Sequence, residues 1–293
     1  MTEFLSLTVN GLANGAILAV TALGFVLIYK ATEVINFAQG QFLLVGAFMV
    51  YQAEVEWGLP WPAAVAVGIG SGVVLGIAVE RFILRRMIGE SALSVIMVTV
   101  GLASALSGVA LGVWGADGRP GPGFIPDKSV KLVGDVSVGA NRLWAVGVAT
   151  VVLILVGLFF QKSRHGVAMR AVADDQQAAM VQGINVNRIF AMAWALSGAA
   201  AAIGGVLLAG ITRSYGIDLQ GFALLVFPVV ILGGLDSVLG TVVGGVVVGL
   251  LVEYSTGYLE EPSMRVILPF TALVVILLVK PYGLFGQTRI ERV

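Results

Sequence analysis

The sequence predicts an all-α polytopic bundle of about nine membrane-spanning helices (8–10), two of them short or broken, with a small external β-hairpin. Three observations predict it. Of 293 residues, 58% are hydrophobic and only 12% are charged, against about 25% charged in an ordinary soluble domain. The mean hydropathy is +0.98, and a soluble fold has too little polar surface to cover that much apolar chain. The apolar residues also fall in runs near the roughly 20 residues a helix needs to cross the hydrocarbon core. Lipid is therefore part of the solvent.

The runs are 5–29, 37–51, 61–79, 93–114, 143–160, 189–211, 222–235, 238–254 and 266–279. The first follows Met-Thr-Glu, with no basic leader and no small-residue cleavage site, and reads as a retained span. The second and seventh are short and occupy comparable positions in the two halves. Such pairs mark broken helices beside a transport path. Gly68, Gly72 and Gly76 recur every four residues, as do Ser197, Ala201, Gly205 and Ala209. Gly11 and Gly15, and Gly245 and Gly249, repeat the spacing. It puts small residues on one helix face, where backbones approach closely.

Lys and Arg in short loops set orientation. With residues 161–188 inside, 11 of the 17 basic residues lie inside and 6 outside. If 222–235 failed to cross, the split would be 9 against 8 and the bias would vanish. Nine crossings with the N-terminus outside and the C-terminus cytoplasmic follow.

Two loops stand out from the single membrane domain, 1–293. The external loop 115–142 opens with Gly118-Arg-Pro-Gly-Pro-Gly123 and continues with two β-prone runs around Gly134-Asp135, which read as a hairpin. It suits either docking of another protein or a plain connection. The loop 161–188 is too polar to span. Its alanine-rich middle favours a helix over 166–182, with Met169, Val172, Ala173 and Met180 on one face. Arg170 and Asp174 are spaced for an i, i+4 pair, and Gly183 stops the helix. An amphipathic helix between two spans presses on lipid or on a partner protein. Its polar face is poor in basic residues, which favours the partner.

Composition also excludes. The net charge is zero, with no basic footprint for nucleic acid. There is no cysteine and one histidine, His165, so neither a metal centre nor a catalytic cluster is expected, and no cofactor. Gly123-Phe-Ile-Pro-Asp-Lys-Ser129 mimics the tail of a phosphate loop but lacks the glycine before the lysine, and Asp127 would repel phosphate. If ATP is used, another chain binds it.

Polar groups at lipid depth are costly and are therefore candidates for function. Glu80 and Glu253 lie near helix ends, where water can reach them. The rest are neutral: Asn10, Asn14, Thr21, Asn36, Gln39, Gln41, Thr99, Ser104 and Ser107. Neutral donors and acceptors suit an uncharged or zwitterionic solute. Asn36, Phe37, Gln39, Gly40 and Gln41 crowd one short segment, where irregular backbone must face water or protein. They are expected to line a path, with Asn10 and Asn14 contributing.

Three stretches resemble permease subunits of bacterial ABC importers for branched-chain amino acids, the LIV type. Val34-Ile-Asn-Phe-Ala-Gln-Gly-Gln41 is similar to the family's stretch after the first span. The inside loop is similar to its coupling loop at Gly166, Arg170, Ala171, Ala173, Asp174, Ala178, Ala179, Gly183, Ile184 and Asn185, with Asp175 beside them. Lys280-Pro-Tyr-Gly-Leu-Phe-Gly286 is similar to its ending. Gln41 stands where the family usually has Glu. The resemblance implies an inner-membrane permease that is not itself an enzyme. Its implied partners are a second related permease subunit, most often in a heterodimer, two cytoplasmic ATPases and an external solute-binding protein. The solute would be a branched-chain amino acid, or urea or a short-chain amide. An ATP-independent carrier or channel is the reading from another class; a carrier would want intramembrane ion ligands, and few are present.

Overall fold

The computed structural model describes residues 2–126, 128–133, 136–259 and 261–286. Among the described residues, eleven α-helices and four short strands make up the order. Helix α1 (Thr2–Thr32) is followed by α2 (Gln39–Tyr51), which continues as a π turn over Gln52–Glu56. Helix α3 (Trp61–Phe82) ends in a 3-10 turn, Leu84–Met87, and α4 (Ala92–Trp114) returns. Strands β1 (Arg119–Pro120), β2 (Ser129–Val133) and β3 (Val136–Gly139) lead to α5 (Ala140–Lys162). Short helices α6 (Arg164–Asp174) and α7 (Gln176–Val181) precede α8 (Val186–Thr212) and β4 (Ser214–Tyr215). A 3-10 segment, Ile217–Leu225, runs into α9 (Val226–Gly233), and α10 (Val238–Tyr258) and α11 (Met264–Val279) close the chain.

Among the described residues six helices, α1, α3, α4, α5, α8 and α10, are long and apolar enough to cross a membrane unaided. The small-residue faces pair them. A Cβ on Gly15 would lie 2.6 Å from the Gly245 carbonyl oxygen, and one on Gly245 as close to that of Gly15, so α1 and α10 pack antiparallel, backbone on backbone. Gly72 and Gly76 meet Gly198 and Trp194 in the same way, holding α3 antiparallel to α8. In the absence of a hydrophobic drive between helices in lipid, such close approach supplies the van der Waals contact that holds them.

The other expected crossings fall on α2 with the extended segment before it, on the stretch Ile217–Gly233 and on α11, the last two being shorter apolar helices. Gln39 reaches Thr21 in the middle of α1, so α2 starts at mid-depth. Leu284 N–H donates to Leu232 O and Phe285 N–H to Gly233 O, tying the end of α9 to the chain just beyond α11. The nine elements thus alternate in direction. Nine of the described Lys and Arg lie at one end of the bundle, from Lys30 to Lys280; Arg119, Lys128, Lys131, Arg142, Arg213 and Arg265 lie at the other. Arg289 and Arg292 fall outside the described residues.

The expected hairpin is present: Val130 pairs with Val138 and Lys131 with Ser137, with an irregularity between Lys131 and Val133. Its turn, Gly134-Asp135, lies outside the described residues. The single helix expected over 166–182 is instead two. Asp175 is extended, with φ −156° and ψ 108°, and its Oδ1 accepts from Gln177 N–H and Ala178 N–H to cap α7. Aspartate offers its backbone this local alternative to the helix. The break rotates the second half, so Met169, Val172 and Ala179 are buried while Met180 is exposed. Arg170 and Asp174 do not form an ion pair; among the described residues Arg85 pairs with Glu80 and Arg142 with Glu253.

Candidate functional site

The two broken crossings meet at the centre of the bundle. A Cβ on Gly40 would lie 2.7 Å from Gln220 O and 2.9 Å from the Ala223 side chain, so only glycine lets α2 begin there. Phe37 and Phe227 rings lie 5.1 Å apart, and Phe25 meets Phe227 edge-on at 5.5 Å. Between the rings and the glutamines is a small cavity of about 90 Å³. Non-helical backbone sits at membrane depth only where protein covers it or a cavity adjoins it, and both conditions hold.

Each predicted residue has a definite place. Asn36 is 1% exposed; its Oδ1 accepts from Ala38 N–H at 3.0 Å and its Nδ2 donates to Gln39 Oε1 at 3.2 Å. Gln39 is 3% exposed, donates to Thr21 O at 3.4 Å and accepts from Ser197 Oγ at 3.0 Å. These amides brace the start of α2 against α1 and α8. Thr99 secures the extended segment: Phe37 N–H reaches its hydroxyl at 3.4 Å, and the hydroxyl lies 3.3 Å from Ile35 O. Gln41 is different. Its Nε2 donates to Ser107 Oγ (3.3 Å) and to Gln220 Oε1 (3.2 Å), and Ser107 Oγ donates to the same Gln220 oxygen at 2.8 Å. Gln41 Oε1 is buried and has no hydrogen-bond partner.

Asn10 and Asn14 lie elsewhere. Asn14 Nδ2 donates to Glu253 Oε1, whose other oxygen lies 3.9 Å from Arg142 Nη1. Asn14 is about two helical turns, or roughly 10 Å, from Thr21 along α1. It serves the α1–α10 contact near the far end. Glu80, expected to be wetted, is 1% exposed and takes a side-on pair from Arg85 at 3.0 and 2.7 Å. Gln220 belongs with the site, and sequence reasoning missed it. The signal was an amide just ahead of the short run 222–235, in a segment that reads as a loop.

The loop residues form a second group at the basic end. Ser163 caps α6 through Gly166 N–H, at 2.8 Å. A Cβ on Gly166 would lie 2.7 Å from Phe160 Cα, so the glycine lets α6 turn tightly under α5. Ala171 is half-buried and Ala179 buried. Asp174 to Ala178 and Met180 to Gly183 form an exposed knob, with Val181 85% exposed. Gly183, at φ +81°, ends α7, a left-handed cap that glycine adopts without strain. At the opposite end, Glu54 Oε2 and Tyr215 Oη are buried without hydrogen-bond partners. Burial raises the Glu54 carboxyl above its ordinary value. Burial, and then the nearby Glu54 charge, raise the Tyr215 phenol. Among the described residues no cluster of three or more His, Cys, Asp or Glu could hold a metal ion.

The family model for the permease component of the branched-chain amino acid transport system matches residues 7–277. The chain belongs to that family. This permease is 28% identical to the high-affinity branched-chain amino acid transport system permease protein LivH of Salmonella typhimurium, over 99% of this chain and 98% of LivH. It is 26% identical to the corresponding protein BraD of Pseudomonas aeruginosa over the same shares. A partial likeness, 33% over 36% of the permease and 32% of the relative, links it to the fructose import permease protein FruF of Bifidobacterium longum. No solved structure matches it. Family and fold agree: the permease is a multi-pass membrane protein of an ABC import system.

Proposed function

We propose that this permease carries branched-chain amino acids into the cell, with its basic end and C-terminus in the cytoplasm and its N-terminus outside. The observation that carries the reading is the meeting of two broken crossings at Gly40 and Gln220, where neutral polar groups and three phenylalanine rings adjoin one cavity. Apolar rings suit a branched side chain, and amides suit a zwitterion whose net charge is zero. The basic end faces the cytoplasm by the excess of Lys and Arg there. An external binding protein delivers solute, a related permease subunit completes the path, and two separate ATPases hydrolyse the ATP. The exposed knob around Asp174, Asp175, Ala178 and Gly183 receives their motion. Gly166, Arg170 and Ala171 hold α6 in place behind it, and Ala179 does the same for α7.

A second reading has its own support. The Gln41–Ser107–Gln220 cluster carries no formal charge, and such a site also fits urea or a short-chain amide. Reconstitution with the cognate ATPases and binding protein decides. ATP-dependent uptake of labelled leucine, competed by valine and isoleucine, is the expected result. Competition by urea or acetamide alone would move the assignment to the second reading. Equal uptake by the permease without ATPases would make it a carrier or channel and sink the importer reading.

A further inference from the structure

A second cavity lies away from the central one. About 330 Å³ opens at the basic end, between the end of α1, the 3-10 turn after α3, the start of α4, α7 and α8. Small-molecule sites begin at roughly 300 Å³. Its lining combines three chemistries. Arg85 gives Nε and Nη2 to the buried Glu80, and Nη1 takes no partner among the described residues. Glu90 adds a carboxylate-bearing side chain to the lining. Leu84, Val95 and Ile96 supply an apolar wall. A guanidinium donor, a carboxylate and a branched apolar wall are what a zwitterion with a branched side chain requires.

Position adds to chemistry. Val34 and Ile35 line this cavity, while Phe37 lines the central one. The strip held by Thr99 is therefore the partition between the two. Gln176, in the first turn of α7, also faces the cavity. A molecule released past the strip would lie against the loop that transmits motion to the ATPases.

We propose that this cavity is a second, release-side site for the transported zwitterion, and that its occupancy slows the cycle by holding α7 through Gln176. The proposal rests on the amino-acid reading above. Product accumulating in the cytoplasm thereby restrains its own import.

The test uses the complete transporter in vesicles, with ATP trapped inside and binding protein outside. Vesicles are loaded with millimolar L-leucine or left empty, and each variant is normalised to its own empty-vesicle uptake. Internal leucine should lower uptake on the order of fivefold, the lower end of ordinary coupling between sites. Ala92→Trp, filling the cavity from its rim, should reduce that ratio to about one, and Glu90→Gln should weaken it without risk to the core. No leucine uptake even by empty vesicles would defeat the amino-acid reading and this proposal with it. Active uptake indifferent to internal leucine, or inhibition equal in both variants, would defeat this proposal alone. A zwitterionic lipid headgroup has related chemistry, so vesicles are made with and without phosphatidylethanolamine. If that lipid slows the wild type but not Ala92→Trp, and leucine does nothing, the cavity holds lipid and the proposal is overturned.

Discussion

At Gln41 an amide oxygen is buried with no hydrogen-bond partner, although leaving such a group unpaired costs roughly 1–3 kcal/mol. Folding alone gives no reason to keep it; a passing donor, such as a solute ammonium, does. Gln41→Leu should therefore lower leucine uptake about tenfold, the equivalent of roughly 1.4 kcal/mol, while protein yield stays near wild type. Unchanged uptake would show that the amide faces no solute. Glu54 allows a test by pH. Burial raises its carboxyl, so the folded protein holds that proton more tightly than the unfolded chain. This contribution to stability is full below the unfolded pKa and is lost as pH rises through the raised folded value. Glu54→Gln should melt above wild type at neutral pH, with the gap closing as pH falls through the carboxylate range. A gap that widens on acidification would contradict the burial. The sequence marked Gln41 as a departure from its family but could not show that one oxygen lacks a partner. That depends on Ser107 and Gln220, which lie 66 and 179 residues away.

Helix contacts follow the small-residue faces closely. The two pairs Gly11/Gly15 and Gly245/Gly249, each legible by its spacing, turn out to be each other's partners. Spacing shows which face packs but not against which helix. Gly198 and Gly72 touch backbone to backbone, whereas Gly70 has open space where a Cβ would go. Gly198→Ala should thus cost about 1–3 kcal/mol by forcing α3 from α8. Gly70→Ala should gain up to about 1 kcal/mol of helix propensity. Thermal unfolding in one detergent compares them, and equal effects would refute the assigned packing. The loop helix shows where periodicity misleads. An apolar face drawn through Met169, Val172, Ala173 and Met180 assumes unbroken winding, and Asp175 interrupts it. Removing that cap with Asp175→Ala should cost about 1 kcal/mol, seen as faster amide exchange over 176–182. No change in exchange would mean that α7 is held by its contacts alone.

Over the whole molecule, the direction of each crossing turns on two short segments, 37–51 and 222–235. Had either failed to cross, every later charge would have changed sides. The described residues hold six long apolar helices and two shorter ones, and the basic excess at one end favours nine crossings with α2 counted. Because the chain has no cysteine, single cysteines report sidedness cleanly. Gln177→Cys should react with a membrane-impermeant maleimide only in inverted vesicles, and Lys128→Cys only in intact cells. The reverse pattern would invert the orientation and place the knob out of reach of cytoplasmic ATPases.

Composition, run length and charge bias determined by themselves that the chain lives in lipid, that it crosses many times and which loop is the polar one. Those properties follow from each segment's own transfer free energy between water and hydrocarbon. Only the tertiary structure decided that the two broken crossings meet, that Gln220 joins Gln41 while Asn10 and Asn14 do not, and that Glu80 hides behind Arg85. Each of these is a contact between residues distant in the chain. In a membrane such contacts are settled by how closely backbones fit, a property of two surfaces together that neither sequence segment holds alone.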